Sequence, residues 1–103
     1  MTDDPDDREI YRTLAWVILK WRLDAEKTQE QVYRAADLAK NVYDRLEDND
    51  RPFSAAQIRA IARVYGRSGK DLYAAAEDLL GVPNLPELPK SVRKWKRDRW
   101  FQP

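Results

Sequence analysis

The chain contains no cysteine and no histidine. Without cysteine there are no disulfides and no thiolate metal sites, and a reducing compartment is expected. Without histidine the commonest general base and the commonest metal ligand are gone. Glycine is limited to three residues, and no glycine-rich phosphate loop is present. An enzyme is therefore not expected, and neither is a cofactor or a metal. No apolar run approaches the ~20 residues needed to cross a bilayer. The acidic start has no hydrophobic signal region, so a cytoplasmic location and no membrane partner are expected.

What remains is a short, charged, helix-favouring chain. Its 103 residues suit one domain, 43% are hydrophobic, and 36% are charged. Such a length builds a thin core and modest stability. The abundance of Ala, Leu, Arg, Asp and Glu favours helix over sheet. The net charge of +1 conceals an uneven distribution. Asp3, Asp4, Asp6, Asp7 and Glu9 crowd the start, whereas Lys90, Arg93, Lys94, Lys96, Arg97 and Arg99 crowd the end. That asymmetry points to a polyanion contact or to an intramolecular contact of the tail. The aspartates lack the spacing of a cation-binding loop and read as a solvated tail.

Hydrophobic periodicity predicts an all-α fold of five short helices plus a C-terminal sixth. Residues 1–7 read as a disordered acidic tail. A helix is expected from near Asp7 to near Leu23, with Ile10, Leu14, Val17, Ile18 and Trp21 on its apolar face. Thr28 and Gln31 have capping-box spacing and open a short helix with Val32, Ala35 and Ala36 inward. After a turn near Asp37-Leu38, a third helix over about Ala39 to Glu47 turns Tyr43 and Leu46 inward. Asn49, suited to a left-handed conformation, lies in the next loop. Ser54 caps a fourth helix bearing Ile58, Ile61, Ala62 and Tyr65, which Gly66 ends. A fifth runs from about Gly69 to Leu80, with Leu72, Tyr73, Ala76, Leu79 and Leu80 inward. The main domain thus covers 8–80, with 28–47 as its central unit. Pro83, Pro86 and Pro89 mark 81–90 as a linker. The segment 91–103 is basic and aromatic and is expected to be helical, its Trp95, Trp100 and Phe101 available to dock on the domain.

A capped short helix, a tight turn and a second short helix with a polar face is helix-turn-helix spacing, whose second helix lies in the major groove. With Thr28-Gln29-Glu30-Gln31-Val32, Arg45-Leu46-Glu47, Gly66 and Asp71-Leu72 in ungapped register, the segment from about Leu14 to Tyr73 resembles the lambda-repressor/Cro-type (XRE-like) family. The resemblance implies sequence-specific binding to a double-stranded operator and transcriptional repression. The small size, with a composition rich in Arg, Asp, Ala and Trp, narrows it to a Cro-like or mycobacteriophage-type immunity repressor of lysogeny, associated with the bacterial nucleoid. Relatives usually bind near-palindromic sites as homodimers; whether this chain dimerises is left open. The family's pattern places Lys40, Asn41, Val42 and Arg45 at base edges. Lysine can donate to guanine, asparagine can pair with adenine, and an aliphatic group can touch a thymine methyl. Gln29 would buttress that helix and touch a phosphate, with Asn49 and Arg51 flanking the next backbone contact. Arg22 and Glu47 would form a structural salt bridge.

Three positions depart from the family pattern: Tyr33 for a small residue, Asp37 for the turn glycine, and Lys27 for an apolar residue. Residues 28–51 also hold six acids against four bases. Since basic contacts supply most non-specific DNA affinity, positive charge must come from outside this unit. Lys20, Lys90, Arg93, Lys94, Lys96, Arg97 and Arg99 are the candidates. Two other readings stay open. One is an antitoxin that autoregulates through the same helices while its tail folds onto a toxin. The other is an interaction module that kept the fold without binding DNA.

Overall fold

The structure, a computed structural model, describes the backbone of residues 5–100 and the side chains of 8–98. Among these residues it is all-helical, in the order α1 (Pro5–Asp24), α2 (Gln29–Ala35), α3 (Lys40–Glu47), α4 (Ala55–Val64), α5 (Gly69–Glu77) and α6 (Val92–Trp100). The expected five-plus-one helices are all present. The expectation of disorder over 1–7 needs correction at its end: Pro5 already occupies the first helical position. Proline suits that position because its missing N–H has no intrahelical acceptor there. Residues 1–4 lie outside the described range, as do the side chains of Trp100 and Phe101.

Local chemistry starts three of the helices. Thr28 with Gln31, Ser54 with Gln57, and Ser68 with Asp71 each form a complete capping box. The last uses Asp where Glu or Gln is usual, so the pattern does not announce it. Asp37 (φ 56°) and Asn49 (φ 57°) adopt left-handed backbone at the turns before and after α3. Both side chains tolerate that conformation better than most. Gly66, at φ 69°, closes the turn after α4.

The core gathers Leu14, Ile18, Val32, Tyr43, Leu46, Ile61, Leu72 and Ala76, all essentially sealed from water. The long α1 lies across the molecule, packing mainly on α5, while α5 packs on α4 and α3 leans on α1 and α2. Three expected core positions differ. Ala35 is exposed, and Tyr73 and Leu80 keep 42% and 40% of their surface in water. The cause at Leu80 is that α5 stops at Glu77, after which the chain turns.

The proline-spaced segment is not a free spacer. It runs back along α1, where the Trp16 indole donates to the Pro86 carbonyl at 2.8 Å and Arg12 donates to the Val82 carbonyl at 3.1 Å. Leu85 and Leu88 are half-buried at a three-residue spacing, beside Ala15, Trp16 and Leu19. That period suits an extended proline-rich chain with three residues per turn. The strap delivers α6 to the far end of α1, where Lys20 lies 5.2 Å over the Trp95 ring and Lys96 reaches Glu26 at 3.7 Å.

Trp16→Phe retains most of the buried area but removes the bond to Pro86. It should cost about 0.5–1.5 kcal/mol by urea unfolding and speed amide exchange in residues 82–91. Unchanged exchange there would show that the strap is held without this bond.

Candidate nucleic-acid interface

α2 and α3 form a short unit joined by a tight turn at Ala36-Asp37. The orientation of α3 is determined from inside. Tyr43 and Leu46 are fully buried, and Glu47 beside them is only 6% exposed. Arg22, near the end of α1 and 1% exposed, meets this carboxylate with a fork: Nε donates to Oε2 at 2.6 Å and Nη2 to Oε1 at 3.0 Å. The Gln29 amide nitrogen donates to the same carboxylate at 2.9 Å and to Asp44 at 3.2 Å, tying α2 to α3. The pair implied by the resemblance is thus present as a buried, bidentate contact, and Gln29 occupies the expected buttressing place.

The charge states follow from these contacts. Burial pushes the Glu47 carboxyl up, but the Arg22 guanidinium, Tyr43 and Gln29 outweigh it and hold it below the usual carboxylate range. Burial also works against the Arg22 cation, and Glu47 more than compensates. Tyr43 and Tyr65 are driven well above the ordinary phenol range, first by burial and next by the nearby Glu47 carboxylate.

With its inner face locked, α3 presents the rest to solvent. Asn41 and Arg45, one turn apart, are exposed. Arg45 makes long contacts of 3.3 Å to the Asp50 carboxylate and carbonyl. Such an exposed pair contributes little and exchanges readily for another partner. Lys40 is exposed on the flank that faces Gln29 and the start of α6. Val42 lies on the opposite flank, half-buried against the core. α3 also departs from the stabilising habits of its neighbours. Its N-cap is Ala39, which makes no side-chain cap bond, and it begins with a lysine where the dipole disfavours a cation. Local rules broken in this way mark places where residue choice serves something besides folding.

The acidity of this unit is largely resolved by charges from outside it. Lys90, on the strap, directs its ammonium at Asp48, Glu47 (3.5 Å) and Asp44 (3.6 Å). Its carbonyl accepts from Arg22 Nη2 at 2.7 Å. Glu30 pairs with Arg34 at 2.8 Å. Arg22 and Lys90 together therefore balance the excess acids, which gather at the C-terminal end of α3 where the dipole is also unfavourable to them.

The remaining expected contacts separate into engaged and available groups. Lys20 is paired with Asp24 at 2.7 Å, and Lys96 with Glu26. Lys90 is turned onto α3. Arg97 lies 3.9 Å from its neighbour Asp98. Arg93 and Lys94 are exposed and in no ion pair among the described residues, while the Arg99 side chain lies outside them. Asn49 is exposed; Arg51 is half-buried, and its Nε is shielded from water without a hydrogen-bond partner. Both line a cleft of about 470 Å³ with Arg8 and Tyr11, past the end of α3. The role of Lys90 as internal counter-ion is invisible to local sequence reading, because nothing near Lys90 in the chain names Asp44 or Asp48 as its partners. Among the described residues no group of acids is placed to hold a metal, and no helix is long and apolar enough to cross a membrane.

Compared with known protein families, curated proteins and solved structures, the chain matches none.

Glu47→Ala leaves Arg22 buried without its anion and should destabilise the fold by about 3–5 kcal/mol in urea titration. The wild-type pair also sets an acid limit. A carboxyl whose folded pKa lies below its unfolded value of about 4.3 contributes stability that is complete above that pH and is lost as the pH falls through the folded value. The fall in melting temperature below about pH 4 should therefore be shallower in Glu47→Gln than in wild type. Identical acid limbs would show that other carboxyls govern it.

Proposed function

We propose that this chain binds double-stranded DNA, with α3 entering the major groove and α2 bracing it. The observation that carries this reading is the division of α3 into two faces. One is held by Arg22, Glu47, Gln29, Tyr43 and Leu46. The other exposes Asn41 and Arg45 one turn apart. A rigid helix with a bidentate amide and a guanidinium outward is equipped to read base edges. Asn41 would pair with adenine, and Arg45 would exchange Asp50 for a guanine or a phosphate. Arg51 and Asn49 would meet backbone beyond the end of α3. Val42, partly occupied with the core, would offer at most a thymine-methyl contact.

The biological role that agrees with this chemistry, and with the resemblance of residues 14–73 to XRE-like proteins, is transcriptional repression by operator occupancy. A phage immunity or Cro-like regulator is the specific form. The balancing of α3 by Arg22 and Lys90 favours this over an interaction module that has lost DNA binding, since it removes the local negative charge that would repel phosphate.

Selection of bound sites from random duplex DNA tests the reading directly. A defined motif should emerge, and its symmetry will report whether one copy or two engage it. Asn41→Ala should cost about 1–3 kcal/mol on the selected site and little on random duplex. Equal losses on both would remove Asn41 from base reading, and failure of the wild-type chain to retain any duplex at low salt would overturn the function.

A further inference from the structure

Lys40 at the start of α3 and Arg93 in the first turn of α6 line one open cleft of about 380 Å³, to which Gln29 and Tyr33 of α2 also contribute. We propose that this cleft takes a DNA backbone phosphodiester, so that α6 adds a sequence-independent contact beside the N-terminal end of the reading helix. This deepens, and rests on, the DNA-binding reading above. It also moves Lys40 from base edge to backbone.

The charge balance around the cleft supports an anion. Neither Lys40 nor Arg93 is in an ion pair among the described residues, and both are exposed. The acids within reach are already engaged. Glu30, which also lines the cleft, lies 2.8 Å from Arg34 in an exposed pair, and Asp44, one turn along from Lys40, receives the Gln29 amide and lies near the Lys90 ammonium. Two unpaired cations thus line a space in which each neighbouring carboxylate has another cation beside it. A phosphodiester carries a single negative charge spread over two free oxygens, and a guanidinium with a lysine ammonium offers donors of the right kind to both.

The cleft is also built in advance. Arg22 holds the carbonyl of Lys90 at 2.7 Å, and the Ser91 hydroxyl accepts from the Lys94 N–H at 3.2 Å, starting α6 two residues after that anchor. The buried guanidinium that locks α3 from within therefore also anchors the segment that brings Arg93 to the cleft lined by Lys40. One wall cannot move far without disturbing the other. A phosphate held here would lie next to Asn41, the adjacent residue on α3, which suits a contact that determines how the helix sits in the groove. The cleft is open to solvent, as a continuing polynucleotide chain requires.

The test is the salt dependence of binding to random-sequence duplex, measured by fluorescence anisotropy with the full chain. Arg93→Gln and Lys40→Gln should each weaken binding about five- to tenfold near 0.1 M salt and reduce the slope of log K against log salt by roughly 0.9, one phosphate's worth. The losses should be the same on the selected site. Lys70→Gln, the same charge change at an exposed position on α5, should stay within about twofold of wild type. Thermal melts establish that the exposed substitutions leave the fold intact. If Arg93→Gln keeps the wild-type slope while Asn41→Ala still weakens the selected site, the cleft proposal fails and the DNA reading stands. If Lys70→Gln loses as much as Arg93→Gln, diffuse charge rather than a cleft is responsible, and the proposal fails again. No wild-type binding to duplex at low salt would remove both.

Discussion

Arg22 reaches from the end of α1 to Glu47 at the end of α3, and both side chains are all but sealed from water. Taking two such charges out of water costs several kcal/mol each, and only a fork of short bonds with further polar partners offsets it. The partners are present. Gln29 adds a donor to Glu47, and Arg22 gives two further bonds to the carbonyls of Lys27 and Lys90. One guanidinium consequently fastens four pieces of chain: α1, the loop before α2, α3, and the strap leading into α6. Net stabilisation from such a pair is small beside that of a packed apolar core. What it provides is a defined angle between helices, because a bidentate contact tolerates little rotation.

The electrostatics of the α2–α3 unit depend on the same arrangement. Acids gather at the C-terminal end of α3, where they repel both the helix dipole and any polyanion. The charge of Glu47 is balanced by Arg22, and those of Asp48 and Asp44 by Lys90. Lys90 holds that position because its own carbonyl is bonded to Arg22. The acidic α2–α3 unit and the basic tail, which look contradictory along the sequence, are complementary in space. The basic tail accordingly divides into cations used within the protein and cations that face outward. Only the second group has the freedom to attract a nucleic acid.

Much of the fold was legible because it is written in local patterns. Thr28 with Gln31 and Ser54 with Gln57 have the spacing that satisfies helix-end N–H groups, and Leu14, Ile18, Tyr43 and Leu46 recur at the helical period. Asn49 and Gly66 sit where a left-handed residue was needed. The Arg22–Glu47 contact was reached through a family resemblance, since a separation of 25 residues carries no local signal. The errors are equally local. Tyr73 and Leu80 have the right period for the core, but period alone does not say where the helix stops, and α5 ends at Glu77, before Leu80. The proline spacing around Pro86 has the pattern of a spacer, because proline disfavours both helix interior and sheet. Whether an extended segment floats or docks depends on what it meets, and here it meets Trp16.

By itself, the sequence determined that the chain is helical, where most helices begin, which side chains line the core, and that α3 carries Asn41 and Arg45 one turn apart. These follow from periodicities and caps that act within a few residues. The tertiary structure alone decided which of the many charges are occupied. It set Lys90 on Asp48 and Lys96 on Glu26, left Arg93 outward, and brought Arg93 within one cleft of Lys40. The physical reason is range. Backbone preferences are settled between neighbours, whereas the partner of a charge on a long flexible side chain is chosen by whichever opposite charge the packed core places within a few ångströms of it.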